Sequence, residues 1–237
     1  MNPSKHHLNL CQILLSLAIM LCTMIPCVLL SGCQEIPDEL RSLRERNPET
    51  ADFVNAYETD HDKHHEIDLS GEYTPGQIPL FLQWDVRWGY ELYGDNIIAL
   101  TGCGPTCLSM VAVGLTGDLT KDPLTIARFS EEHGYYYDGV GSAWALISEG
   151  APQLGLTAEP LSLDGKTMRE HLAQGHPIIC SVGPGDFTTE GHFIVLTGLT
   201  AEGRVTVNDP NSRINSSKDW DLRRIVGQVQ SMWAISR

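Results

Sequence analysis

Gly102-Cys103-Gly104-Pro105-Thr106-Cys107-Leu108-Ser109-Met110-Val111-Ala112-Val113 is the stretch on which the fold turns. A Gly-rich turn leads into Pro105, and proline suits the first turn of a helix, where its missing N–H would go unused anyway. Beyond it the residues are apolar on nearly every side. Such a helix belongs in the middle of a domain rather than on its surface. Cys103 stands directly before the helix start. There the unpaired backbone N–H groups and roughly half a positive charge favour a thiolate. A free cysteine is otherwise a small buried hydrophobe. That is the reading for Cys107, inside the helix, and for Cys180, in an apolar strand. Cys103 alone has the setting of a nucleophile.

Downstream, residues 122–133, 141–154 and 165–174 read as further amphipathic helices. Then the period changes. Residues 177–182, 192–197 and 203–207 are short β-rich runs bounded by Gly or Pro, and the last two are joined as a hairpin through residues 198–202. Helices first and strands afterwards point to an α+β fold with an antiparallel sheet in its C-terminal half. In that hairpin His192 opens the first strand, while Asp209 follows the end of the second. The two become cross-strand neighbours within hydrogen-bond reach. Taken singly, His192 is a satisfied histidine at a strand end and Asn208-Asp209-Pro210 is a turn. Together with Cys103 they have the logic of a thiol, a base that deprotonates it and an acid that fixes the base.

Upstream, residues 1–32 contain no acid and a single lysine, Lys5, followed by an apolar run from Leu8 to Leu30. The run is long enough to span a bilayer, yet its short positive start and small-residue end are those of a secretory signal. Leu30-Ser31-Gly32-Cys33 resembles the lipobox of bacterial lipoproteins. This implies that Cys33 is diacylated and becomes the first residue of an exported chain anchored to the cell membrane. Loss of residues 1–32 takes the formal charge from −14 to −15. A balance so acidic excludes nucleic acid as a partner and electrostatic docking on anionic lipid. It also removes Cys11, Cys22 and Cys27, leaving three cysteines besides Cys33, too few for a disulfide framework.

Residues 34–75 hold 12 acids and 4 bases. Leu40, Leu43, Phe53 and Val54 lie near helical spacing, interrupted at Asn47-Pro48. From Glu58 to Pro75 the composition is that of a solvated linker or a wrapping arm. Asp60-His61-Asp62-Lys63-His64-His65-Glu66 could bind a transition metal adventitiously, but the plainer reading is a polar loop that keeps the domain off the membrane. The domains expected are therefore a signal over 1–32, an acidic linker with short helices over 33–75, and a catalytic-type domain over 76–237.

Four separated motifs carry a resemblance over residues 76–237: Gly102-Cys103-Gly104-Pro105-Thr106, Gly191-His192-Phe193-Ile194-Val195, Val207-Asn208-Asp209-Pro210, and Pro79 to Trp88 with Gln83 inside it. Together they resemble the C39-like peptidase family. Asn47-Pro48-Glu49-Thr50 to Val54 is similar to an N-terminal extension of some exported members. The resemblance implies a papain-like fold, with the nucleophile at the N-terminus of a buried helix, and cysteine peptidase or amidase activity on a peptide or amide substrate. Cys103 would be the nucleophile, His192 the general base and acid, and Asp209 its orienter. Gln83 would donate its side-chain amide to the oxyanion; a surface amide on the family's first strand is the plainer reading. No cofactor is implied, and the chain is expected to act as a monomer. The better-understood members are attached to ABC exporters and cut leader peptides after paired glycines. This chain shows no transporter segment or ATP-binding signature, so the substrate does not follow. Two readings from other classes stand beside the enzyme: a catalytically silent binding module on the same fold, and a metal site made by Cys103, His192 and Asp209.

Overall fold

A computed structural model describes residues 35–237, so the signal, Cys33 and the three cysteines before it lie outside the described residues. In chain order the helices are α1 (Asp38–Arg46), α2 (Ala51–Asn55), α3 (Tyr57–Asp60), α4 (Ile98–Thr101), α5 (Cys103–Thr116), α6 (Pro123–Glu132), α7 (Ala151–Gln153), α8 (Gly165–Ala173), α9 (Arg213–Ser216) and α10 (Leu222–Val226). The strands are β1 (Leu92–Tyr93), β2 (Asn96–Ile97), β3 (Tyr136–Tyr137), β4 (Gly141–Ser142), β5 (Thr157–Pro160), β6 (Ile178–Val182), β7 (His192–Leu199), β8 (Val205–Asn208), β9 (Asp219–Trp220) and β10 (Val229–Ser236). Six of them form one antiparallel sheet in the order β5-β10-β6-β7-β8-β9, and β1–β2 and β3–β4 are separate hairpins. The class is α+β, as the sequence led one to expect.

Strand alternation sorts the core into two layers. Ile179, Val195 and Trp233 join the cluster built around α5, with Leu108, Met110 and Val111. Their neighbours Ile178, Cys180, Ile194 and Leu196 join Met168 and Leu172 of α8 and Leu222 and Ile225 of α10. The sheet is thus covered on both faces, and every residue of β6 is buried. Helix starts follow local chemistry. Asp122 accepts from Thr125 N at the head of α6, with Pro123 in the first turn, and Asp164 accepts from Thr167 N at the head of α8.

Three local expectations are corrected. Residues 141–154 are not one amphipathic helix: Gly141 and Ser142 pair as β4, and a π-helical turn at Leu146–Gly150 precedes the short α7. Pro152 has no N–H with which to extend an α ladder through this segment. Residues 79–88 are not a strand. Their backbone bonds to a loop instead, Gln83 N donating to Pro210 O at 2.8 Å, while Asn208 Nδ2 donates to Pro79 O at 2.9 Å. Strand β10, at the heart of the sheet between β5 and β6, carried no alternating signal because side chains on both its faces are buried.

The stretch before residue 76 is packed as well as helical. Leu40, Leu43, Phe53 and Val54 form a cluster with Leu82, Trp84 and Ala99, and Phe53 stacks on Tyr90 with ring centroids 4.1 Å apart. Residues 58–75 behave as a wrapping arm, since Leu69 is buried against the α5 cluster with Ile67 and Tyr73. His61 Nδ1 lies 2.6 Å from Tyr57 O, and His65 Nε2 is turned to Asp60 O. No three metal-ligating side chains converge among the described residues. If the packing of the stretch before residue 76 is structural, Phe53→Ala should lower the stability of the exported chain by about 3 kcal/mol. Urea unfolding measures this, and an unchanged midpoint would mean that the stretch is only loosely laid on.

Candidate functional site

The site begins with two glycines that allow close approach. A Cβ on Gly102 would sit 2.5 Å from Ile98 Cγ2 and 2.6 Å from Ile98 O, and one on Gly104 would sit 2.5 Å from Ser142 Oγ. Only glycine fits on either side of Cys103, which is thereby held as the first residue of the 14-residue helix α5. Ser142 is itself fixed by the buried Tyr93 hydroxyl, 2.8 Å away. Cys103 is partly exposed, whereas Cys107 and Cys180 are buried on opposite sides of the sheet, and all three thiols are free. Burial drives the pKa of both inner thiols upward, consistent with core roles.

His192 heads β7 and is 8% exposed. Strand β8 pairs Val195 with Asn208 and Leu196 with Val207. Asp209 follows directly on that pairing, beside the start of β7. The two side chains meet there, with Asp209 Oδ1 accepting from His192 Nε2 at 2.8 Å. The ring also acts on the Cys103 thiol, lowering its pKa. With Nε2 held by the carboxylate, that interaction falls to Nδ1. Cys103, His192 and Asp209 therefore form a linear chain, thiol to imidazole to carboxylate. This differs from the convergent arrangement a metal ion needs.

Asp209 is 1% exposed. Besides His192, Oδ1 accepts from Asn211 N at 2.9 Å and Oδ2 from Asn215 Nδ2 at 2.8 Å. Asn215 lies on α9, outside any pattern the sequence offered; a lone Asn on a four-residue helix has no periodic or spacing signal. Gln83 is no surface amide, being 4% exposed. Its Nε2 donates to Ala99 O at 2.8 Å, leaving one amide hydrogen uncommitted, and Oε1 is buried without a partner. An unpaired buried acceptor costs about 1–3 kcal/mol.

A cleft of about 480 Å³ brings these groups together. Gln83, Ala99, Cys103 and His192 line it together with residues 185–191 and with Leu43, Arg46 and Asn47 of the N-terminal arm.

Electrostatics follow from the geometry. Burial pushes the Cys103 thiol up, but hydrogen bonding and charge from His192, with backbone N–H groups of Phe193 and Gly104, more than offset this and bring its pKa below the ordinary value. Burial pushes the His192 ring down. The charge and hydrogen bond of Asp209, then those of Cys103, outweigh that and raise the ring to about 10. Both directions favour a thiolate–imidazolium pair. Because the ring's pKa is raised from 6.5, its stabilising effect is complete below pH 6.5 and is lost as pH climbs to about 10. The depressed thiol contributes in the opposite sense, losing its share as pH falls through its folded value.

A model of the Peptidase C39 like family matches residues 76–237. No curated protein sequence matches the chain. Among solved structures, the peptidase domain of Streptococcus ComA, a bifunctional ABC transporter involved in a quorum-sensing pathway, is similar at 21% identity with a TM-score of 0.41. The match covers 57% of this chain and 89% of that one.

The paired shifts give a direct expectation. Iodoacetamide should alkylate Cys103 with a midpoint below the ordinary thiol value of ~8.5, leaving Cys107 and Cys180 untouched. In His192→Ala, burial is opposed only by the backbone N–H groups of Phe193 and Gly104, and the midpoint should move above that of the wild type. Peptide mass spectrometry of the alkylated chain reads both.

Proposed function

The chain belongs to the C39-like peptidase family, and from that premise we propose that it is a cysteine peptidase that hydrolyses peptide or amide bonds outside the cytoplasm, tethered to the membrane through lipid on Cys33. The observation that carries the catalytic part is the linear Cys103–His192–Asp209 chain opening on the cleft. The Cys103 thiolate attacks the scissile carbonyl, forming the carbon–sulfur bond as the carbonyl oxygen takes up negative charge. His192, held by Asp209, gives its proton to the leaving amine as the tetrahedral species collapses to a thioester. It then takes a proton from water, whose oxygen adds to the thioester carbon; cleavage of the carbon–sulfur bond releases the carboxylic acid product and restores the Cys103 thiolate beside the protonated ring. The uncommitted amide hydrogen of Gln83 and the backbone N–H of Cys103 would stabilise the oxyanion.

The lipid anchor rests on the lipobox alone. Among the described residues no helix is long and apolar enough to cross a membrane.

Cys103→Ala and His192→Ala should each remove turnover of a peptide substrate by a factor of ~10³ or more while leaving the melting transition cooperative. Gln83→Ala should lower kcat by about 10²-fold or more with KM little changed, the signature of an interaction made only in the transition state. Retained turnover in Cys103→Ala would overturn the peptidase reading. Stoichiometric binding of a peptide without turnover by the wild type would replace it with a binding module.

A further inference from the structure

The family match begins at residue 76, yet the loop that carries Asp209 is held by residues far upstream of it. Glu49 directs its carboxylate at the first turn of α9: Ser212 Oγ donates to Oε1, Arg213 N to Oε2 at 2.8 Å and Ile214 N to Oε2 at 3.2 Å. Two residues earlier, Asn47 Nδ2 donates to Asn211 O at 2.6 Å. Trp84 reaches the same oxygen with Nε1 at 3.1 Å, and the Arg213 guanidinium lies 4.5 Å above the Trp84 ring. These grips all fall on residues 211–214, between the two side-chain-holding donors of Asp209, which are Asn211 N and Asn215 Nδ2. The arm is committed to this task by its own local structure. Asn47 caps the 3-10 turn Pro48–Thr50 through Glu49 N, and Phe53 and Val54 anchor the following helix in the core.

We propose that Glu49, supported by Asn47, is a positioning residue of the active site, fixing the loop that orients Asp209 and through it His192. The arm upstream of the family domain is then part of the catalytic unit rather than a spacer between membrane and enzyme. The proposal rests on the peptidase reading, in that it requires an activated Cys103 for the arm to support.

The alternative is that Glu49 does no more than stabilise a short helix, and the test separates the two. Iodoacetamide alkylation of Cys103 is followed against pH in the exported chain from residue 33, with Cys33 replaced by Ser, for the wild type, Glu49→Ala, Glu49→Gln, Asp209→Ala and the double variant. Glu49→Ala should slow alkylation at pH 6 about tenfold. Glu49→Gln, which keeps an acceptor oxygen for the loop, should recover part of the rate. Asp209→Ala should slow it further, and adding Glu49→Ala to it should change nothing more, because both act through one carboxylate. A purely structural cap would lower the urea midpoint while leaving the alkylation profile unmoved, and that result overturns the proposal. Additive losses in the double variant would overturn it too. Should Glu49→Ala not fold, Asn47→Ala reads the same loop and should slow alkylation in the same direction. A wild-type Cys103 that titrates as an ordinary thiol would instead sink the peptidase reading itself.

Discussion

Burying the Asp209 carboxylate is the constraint around which the structure is arranged. A charge with 1% of its surface exposed is tolerated only when its oxygens are fully partnered, and removing one partner typically costs about 3–5 kcal/mol. Three donors meet it: the His192 ring, a backbone N–H two residues on, and the Asn215 amide. Each is brought in by a different element, so the demand of one charge ties the end of the sheet, the turn after β8 and helix α9 into a single unit.

The turn 208–211 works as a hub in consequence. Asn208 grips the backbone of Ile78 and Pro79, Asp209 holds His192, Pro210 O receives Gln83 N, and Asn211 O receives Asn47 and Trp84. Gln83 and His192, which face the same cleft, are thus positioned by consecutive residues of one loop. This spares the site any need for a rigid scaffold beneath Gln83, whose own segment forms no strand. On the far side Cys103 is fixed independently, by glycines pressed against Ile98 and Ser142 and by the buried helix behind them. The two supports meet at the thiol and the imidazole, and the raised ring and lowered thiol are the electrostatic result of that meeting.

Where sequence reasoning succeeded, it worked from local rules. A glycine pair with Pro105 announces a helix start; an apolar run announces burial; β-rich runs bounded by Gly around residues 198–203 announce a hairpin, and the hairpin brings His192 to Asp209. It failed where the deciding partner is distant. Strand β10 shows no alternation because α5 and the α8–α10 layer bury both its faces. The segment around Gln83 reads as a strand until its hydrogen bonds are seen to go to a loop more than a hundred residues away. Residues 141–154 carry helical periodicity that a π-turn and Pro152 interrupt.

By itself the sequence determined the α+β class, the thiol at a helix N-terminus and the pairing of His192 with Asp209, because each follows from residues close along the chain or joined by one short turn. Only the tertiary structure decided that the thiol reaches the imidazole, that Gln83 is buried beside them, and that Asn215, Asn47 and Glu49 support the acid. Those contacts span from 6 residues, for Asn215 and Asp209, to 165, for Glu49 with Ile214. The physical reason is that side-chain hydrogen bonds between distant segments leave no period or composition in the chain, and exist only once packing has fixed where each backbone runs.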